Sequence, residues 1–323
     1  MPTFAREEPE EPDNAAVSRL LTRRRMLVLG GAAGAAALAG ASAAAHADDR
    51  AAATGGGALD AVKAAASASG ACMRLTTEQI EGPYYIDHEL FRKDVTEDRT
   101  GIPLVLVLRA IDGATCKPLR DSAIEIWHCD ASGVYSGYTQ TGNGGGEGTP
   151  PGPPPSGPPT PPPGGGGGHQ TPTDDLTWLR GIQMTDHQGF VTFRTVFPGW
   201  YTGRAVHVHT KVHTGGARTR EGYSGGHTCH TGQFYFAEDV VRATEGIAPY
   251  SANTTARVTL DKDMLYPGTG TQGGLLKLVH DPRHIERGVI GSLTMAVDPA
   301  ATHDGDGPPP GGPAPTAPPS PTA

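Results

Sequence analysis

Four side chains have the types and spacing of a metal centre: Tyr135, Tyr201, His207 and His209, in the segments IWHCDASGVYSGY and FPGWYTGRAVHVHTKV. Phenolate is a hard anionic oxygen donor, and hard donors favour hard cations. A tyrosine with a pKa of about 10 ligates at neutral pH only where a strong Lewis acid replaces its proton. Two phenolates and two imidazoles therefore suit ferric iron better than a common divalent ion. With one hydroxide, the two phenolates also cancel the three charges of Fe(III). Each residue alone is weak evidence. A tyrosine after a strand is usually a packing residue, and HxH on a strand also occurs in zinc enzymes and cupins.

The surrounding pattern says how the four could be held. In AVHVHTKV, apolar and polar residues alternate, so His207 and His209 share one strand face while Val206, Val208 and Val212 take the other. Tyr201 enters across Gly203 after the Pro198-Gly199 turn. Tyr135 follows the strand-like run AIEIWHCD. His213, four residues past His209, shares its face if the strand stays regular, but we read it as structural. His227-Thr228-Cys229-His230 reads as loop, and His128 has no assigned role.

Short apolar runs separated by turns recur along the chain: IPLVLVLRAID, SAIEIWHCD, LRGIQMTD, GFVTFRTV, AVHVHTKVH, GQFYFAE, LLKLVH and VIGSLTMAV. This is an all-β pattern, a sandwich or a barrel. A Gly-rich loop with Arg218, Arg220, Gly225 and Gly226 is predicted between two of the strands.

IWHCDASGVYSGY, then TDHQGFVTFRTVFPGWYTGRAVHVH, then TGQFYF resembles the intradiol ring-cleavage dioxygenases, the family of protocatechuate and catechol dioxygenases. The similarity runs in order from about Thr77 to Thr294, and EGPYY around Tyr84 and Tyr85 resembles the entry segment. The likeness is greatest to a secreted actinobacterial branch without the long helical dimerisation segment; only Ala58 to Ala66 could be helical here. The resemblance implies a β-sandwich holding non-haem Fe(III) on Tyr135, Tyr201, His207 and His209, with a hydroxide as fifth ligand. A catechol would displace the hydroxide and Tyr201, which take its two protons. O2 would then open the ring between the hydroxyl-bearing carbons, both atoms entering a cis,cis-muconate product. By the same resemblance Arg204 stabilises charge on the substrate and Gln233 donates to a reacting oxygen. Tyr85, Trp127 and Trp200 are candidate pocket walls. Two alternatives stay open: an HxH zinc or cupin-type enzyme, and a non-catalytic transthyretin-like sandwich binding phenolics or glycans.

The 323 residues divide by composition. Residues 1–47 read as a twin-arginine signal, with Arg23-Arg24-Arg25, an Ala/Gly/Leu-rich stretch, and Ala45-His46-Ala47 as cleavage site. Residues 48–71 read as a disordered Ala/Gly linker, 72–298 as the catalytic domain, and 299–323 as a Pro/Ala/Thr-rich tail. A Pro/Gly insertion, 142–168, interrupts the domain; it and the tail read as solvated spacer, with contact to a polymer or cell surface as the alternative. The formal charge of -8, with no basic block outside the N-terminus, gives no support to nucleic-acid binding. The apolar stretch is too short for stable membrane insertion. An exported chain with four cysteines, Cys72, Cys116, Cys129 and Cys229, suggests two disulfides in one of three connectivities. The expected partners are a small catechol-type substrate and O2; which catechol, and the oligomeric state, stay open.

Overall fold

The computed structural model describes residues 53–67, 75–87, 90–141, 169–220, 222–270 and 273–303. The expected signal peptide, the 142–168 insertion and most of the tail lie outside the described residues.

The alternating runs form eight strands: β1 (Pro103–Asp112), β2 (Ala123–Trp127), β3 (Arg180–Met184), β4 (Phe190–Val196), β5 (His207–Arg218), β6 (Tyr223–Tyr235), β7 (Lys277–His280) and β8 (Val289–Val297). They make two four-stranded sheets, ordered β4-β1-β8-β7 and β3-β2-β5-β6. All neighbours pair antiparallel except β1 and β8. The expected all-β sandwich is the architecture of this chain.

The period of two decides what goes between the sheets. Leu104, Leu106 and Leu108 of β1 point inward with Phe193 of β4 and Leu293 of β8, meeting Ile124, Ile126, Val206, Val208, Val212 and Phe234 from the other sheet. Full burial of such a side chain contributes about 1.5–3 kcal/mol, so this interior fixes the register of every strand in it.

Within 48–71, the described residues 53–67 depart from the linker reading. Ala53–Ser67 is a helix, α1, longer than the Ala58 to Ala66 stretch expected. It docks on the outer face of the first sheet, where Ala58, Leu59, Val62 and Ala66 cover Val105, Val107, Phe190 and Ile290. Both faces of β1 are apolar, so the outward one needs a lid. Among the described residues no helix is long and apolar enough to cross a membrane.

Two predicted loops are strand instead. β5 and β6 run on as a long hairpin through Arg218 and Tyr223, and His227 to His230 lie within β6. Here the glycines mark close backbone approach rather than a loop. A Cβ at Gly226, whose φ is +73°, would stand 2.1 Å from the Thr214 carbonyl. The two-disulfide expectation is also corrected. Cys116 is disulfide-bonded, but Cys129 and Cys229 are free and buried. Each sits in an apolar cluster of its own, Cys129 among tyrosines and Cys229 in the main core, where a thiol packs as a small hydrophobe. Cys72 lies outside the described residues.

Candidate metal centre

The second sheet has one face in the core and one turned outward, and the outward face carries the site. Register places Arg180 of β3, Trp127 of β2, His209 of β5 and Gln233 of β6 on a single rung across all four strands. His207 pairs with Tyr235 on the next. Residues 75–87 run over this face. There Gln79 N–H donates to the Thr231 carbonyl, and the Gln233 amide donates to the Ile80 carbonyl, both at 2.9 Å.

Two loops deliver the tyrosines. After β2, the Asp130 carboxylate accepts from the Ser132 and Val134 amides at 2.8 and 3.1 Å, closing the turn that presents Tyr135. The Tyr201 loop is tied to it by the Gly199 amide donating to the Asp130 carbonyl at 3.0 Å. The two loops touch at Gly133, where a Cβ would meet the Trp200 carbonyl at 2.2 Å. With φ at +85°, that position suits glycine alone.

The expected ligands converge. His207 Nε2 lies 3.0 Å from His209 Nε2 and 3.2 Å from Tyr201 Oη. The Tyr135 ring stands 5.8 Å from that of Tyr201 and 6.1 Å from that of His209, centroid to centroid. All four are buried, Tyr135 with 3% and His209 with 2% of its surface exposed. His207 Nδ1–H donates to the Ala205 carbonyl at 2.6 Å, which leaves the Nε2 lone pair free. Tyr135 Oη has no hydrogen-bond partner. Two imidazole nitrogens at contact distance beside an orphaned buried phenol call for a cation between them.

Electrostatics agrees. Burial, then the Arg204 charge, pushes His207 down to about 3, and burial with His207 beside it pushes His209 well below its ordinary value. Both imidazoles are thus neutral, as ligation requires. Burial, then Tyr201, raises Tyr135 far above an ordinary phenol, and burial raises Tyr201 despite the opposing Arg204 charge. Both phenols would ionise only against a strong local cation. Among the described residues no cluster of three or more His, Cys, Asp or Glu could hold a metal. A metal on His207 and His209 must therefore recruit phenols. The donor set fits ferric iron.

Arg204 is anchored by residues the sequence reading missed. Its Nε donates to Asp263 at 2.9 Å, and its Nη2 to Gln233 Oε1 at 2.5 Å and to Tyr235 Oη at 3.1 Å. Burial alone would lower its pKa, but Tyr201, Tyr235 and Asp263 outweigh it and the net shift is upward. Asp263 lies 59 residues away, and no motif marks it. Gln233 has a further role: its oxygen accepts from Arg204 and one amide N–H donates to the Ile80 carbonyl, so it positions Arg204, while its second N–H remains for the donor role expected of it.

Of the candidate pocket walls, Trp127 stacks on His209 with ring centres 4.9 Å apart at 10°. Tyr85 packs against Trp127 at 4.9 Å and borders a neighbouring polar cleft of about 460 Å³. Trp200 is corrected to core: it joins the inter-sheet cluster, and its Nε1–H donates to the Thr255 carbonyl. Tyr84, quoted only within EGPYY, stacks on Tyr135 at 4.7 Å. His213 Nε2–H donates to the Glu125 carboxylate and its Nδ1 pairs with the Thr228 hydroxyl, each at 3.2 Å, so it is not a third imidazole ligand. His128 is fully buried between Cys129 and Thr195.

No protein-family model and no curated protein matches the sequence. Solved structures do. An intradiol ring-cleavage dioxygenase from Tetranychus urticae is similar at 28% identity with a TM-score of 0.57, over 72% of this chain and 98% of that one. A second dioxygenase is similar at 28% identity and a TM-score of 0.56, over the same shares. The resemblance read from the motifs therefore extends to the fold, which is that of the intradiol ring-cleavage dioxygenases.

Proposed function

We propose that this chain, an oxidoreductase with the intradiol dioxygenase fold, uses non-haem ferric iron to open catechol-type rings between the two hydroxyl-bearing carbons, taking up O2. One observation carries the reading: two neutral imidazole nitrogens 3.0 Å apart, flanked by two buried phenols. Tyr135, Tyr201, His207 and His209 would hold the metal. When bound, ferric iron supplies a Lewis acid that draws electron density from a catecholate and makes its ring reactive toward O2.

The chain's residues supply the rest. Tyr201 Oη lies 3.2 Å from His207 Nε2 and within the field of Arg204; as a phenolate it could take a proton from an incoming catechol hydroxyl. Arg204 stays protonated and is held by Asp263, Gln233 and Tyr235. Its fixed charge stabilises negative charge developing on the ring and its products. Tyr84, Tyr138 and Trp127 wall the donors in an aromatic cluster, which keeps bulk water off the phenol oxygens.

The test is an oxygen-electrode screen of iron-loaded protein with a panel of catechols, with mass detection of a cis,cis-muconate-type product. Uptake with a ring-opened product of catechol plus two oxygen atoms supports the reading. A colourless, zinc-loaded protein without oxygen uptake overturns it. Among the described residues no group of three or more His, Cys, Asp or Glu is placed to hold a zinc ion, so the zinc or cupin reading lacks its ligand set there. The non-catalytic sandwich gives no reason for the convergence of four donors.

We also propose twin-arginine export, because the Arg23-Arg24-Arg25 motif precedes an apolar stretch and a small-residue cleavage site. Replacing Arg23 and Arg24 by Lys should abolish secretion. Undiminished secretion would remove the assignment. Export favours substrates met outside the cell, such as plant aromatics, and the Pro-rich segments suit contact with their polymers.

A further inference from the structure

At the opposite end of the rung from Gln233 stands a second buried guanidinium. Arg180 has 3% of its surface exposed. Unlike Arg204, it has no carboxylate partner among its hydrogen bonds. Its Nε donates to Ser136 Oγ at 2.9 Å, and its Nη2 donates to the Ser136 carbonyl at 2.7 Å and the Tyr84 carbonyl at 2.8 Å. Its Nη1 is buried with no partner. Ser136 is chain neighbour to the donor Tyr135, and Tyr84 is the ring stacked on it at 4.7 Å. One planar fork thus grips both the loop that carries the phenol and the segment that covers it.

Burying a cation without a carboxylate is costly, and the cost is met where anionic groups surround it. Burial lowers the Arg180 pKa to about 10, opposed by Tyr138, Tyr135, Glu125 and Tyr85, so it remains charged at neutral pH. Its field also reaches His209. A lysine could supply the charge, but only a guanidinium supplies the three-bond fork.

We propose that Arg180 is a positioning residue for the metal centre: it fixes the Tyr135 loop against Tyr84 and provides the fixed positive charge that tunes the Tyr135 phenolate. This rests on the ferric dioxygenase reading. Removing the cation should raise the donor level of the phenolate, so its charge-transfer absorption should move to longer wavelength.

The experiment compares wild type, Arg180→Lys and Arg180→Gln, each iron-loaded, by visible absorption, iron per chain and steady-state kinetics, with melting temperature of the iron-free proteins. We expect Arg180→Gln to bind iron, absorb at longer wavelength and lose about tenfold or more in kcat, the scale of an outer-shell partner, with little change in KM. Arg180→Lys should keep the wild-type wavelength but lose rate, because charge returns without the fork. If both variants keep the wild-type band and kcat and merely melt lower, Arg180 is structural and the proposal is wrong. Should neither fold, Ser136→Ala decides, since it removes the Nε acceptor, together with the Ser136 bond to the Trp178 carbonyl, and leaves both Nη2 bonds in place: a broadened band with reduced kcat supports the proposal, and an unchanged band and rate overturn it. A colourless wild type would instead sink the ferric reading itself.

Discussion

His207 and His209 share a face of β5 with Lys211 and His213, yet the two pairs meet opposite company. Lys211 is salt-bridged to Glu81 and lies 3.8 Å over the Tyr85 ring. His213 lies 3.2 Å from Glu125 and from Thr228. Glu81 also takes His169 at 2.6 Å. In that cleft the lysine and the imidazoles find carboxylate or hydroxyl partners inside the fold, so the cleft is polar but asks for nothing. One rung away, the imidazoles face phenols and each other, with no carboxylate to settle them. A binding site is marked less by how many polar groups gather than by which ones the fold leaves unanswered.

Tyr135→Phe attacks the unanswered side most directly. Outer-shell partners of metal ligands already cost about 10–100-fold, so loss of this donor should cost more than about a hundredfold in kcat. The visible band should bleach or shift. Retained colour and rate would break the contrast between the two rungs. Arg204→Ala should leave the colour and remove about 10²–10³ of the rate, the range for a lost charge-stabilising donor. Asp263→Asn should follow it with a smaller loss, because only the anchor is weakened.

Acid should destabilise the iron-free protein. Burial pushes His128 down to about 4 and His207 to about 3, against an ordinary value near 6.5. The unfolded chain therefore binds more protons than the folded one between those values and pH 6.5. Stability is complete above pH 6.5 and falls as pH drops toward about 4, by on the order of a few kcal/mol. Denaturant melts of chelator-treated protein across that window check this; flat stability would contradict it.

Glu81→Gln tests the satisfied cleft. It leaves Lys211 buried without its carboxylate and should cost about 3 kcal/mol of stability, with kcat within about twofold because no site donor is touched. A large loss of rate at unchanged stability would mean the cleft is part of the site. The smallest effect is chemical. Titration of the denatured, unreduced protein should find free thiols at Cys129 and Cys229, and the native protein should show neither, since both are buried. Only a fully oxidised chain would restore the two-disulfide expectation.

The donors were legible because their evidence is local. HxH puts two imidazoles on one strand face by periodicity alone, and the Pro198-Gly199 turn is written in its own residues. Strand alternation marked the chain as all-β for the same reason, a sandwich or a barrel, and the family resemblance pointed to the sandwich. What escaped depends on register or distance in sequence. Arg180 pairs with Trp127 across 53 residues, and a strand's period does not say which strand lies beside it. Asp263 meets Arg204 through a loop with no motif. The full length of α1 and its docking escaped, although Ala58 to Ala66 read as potentially helical, because Ala and Gly read as linker until the apolar outer face of β1 requires a cover. Cys129 and Cys229 escaped because an even cysteine count says nothing about separation.

By itself the sequence determined the chemistry of the centre, since residue type sets which metal a donor prefers and local spacing sets which donors face together. Only the tertiary structure decided which charges are answered. Neutralising a buried group takes a partner brought from elsewhere in the chain, and that pairing exists only once the sheets have closed.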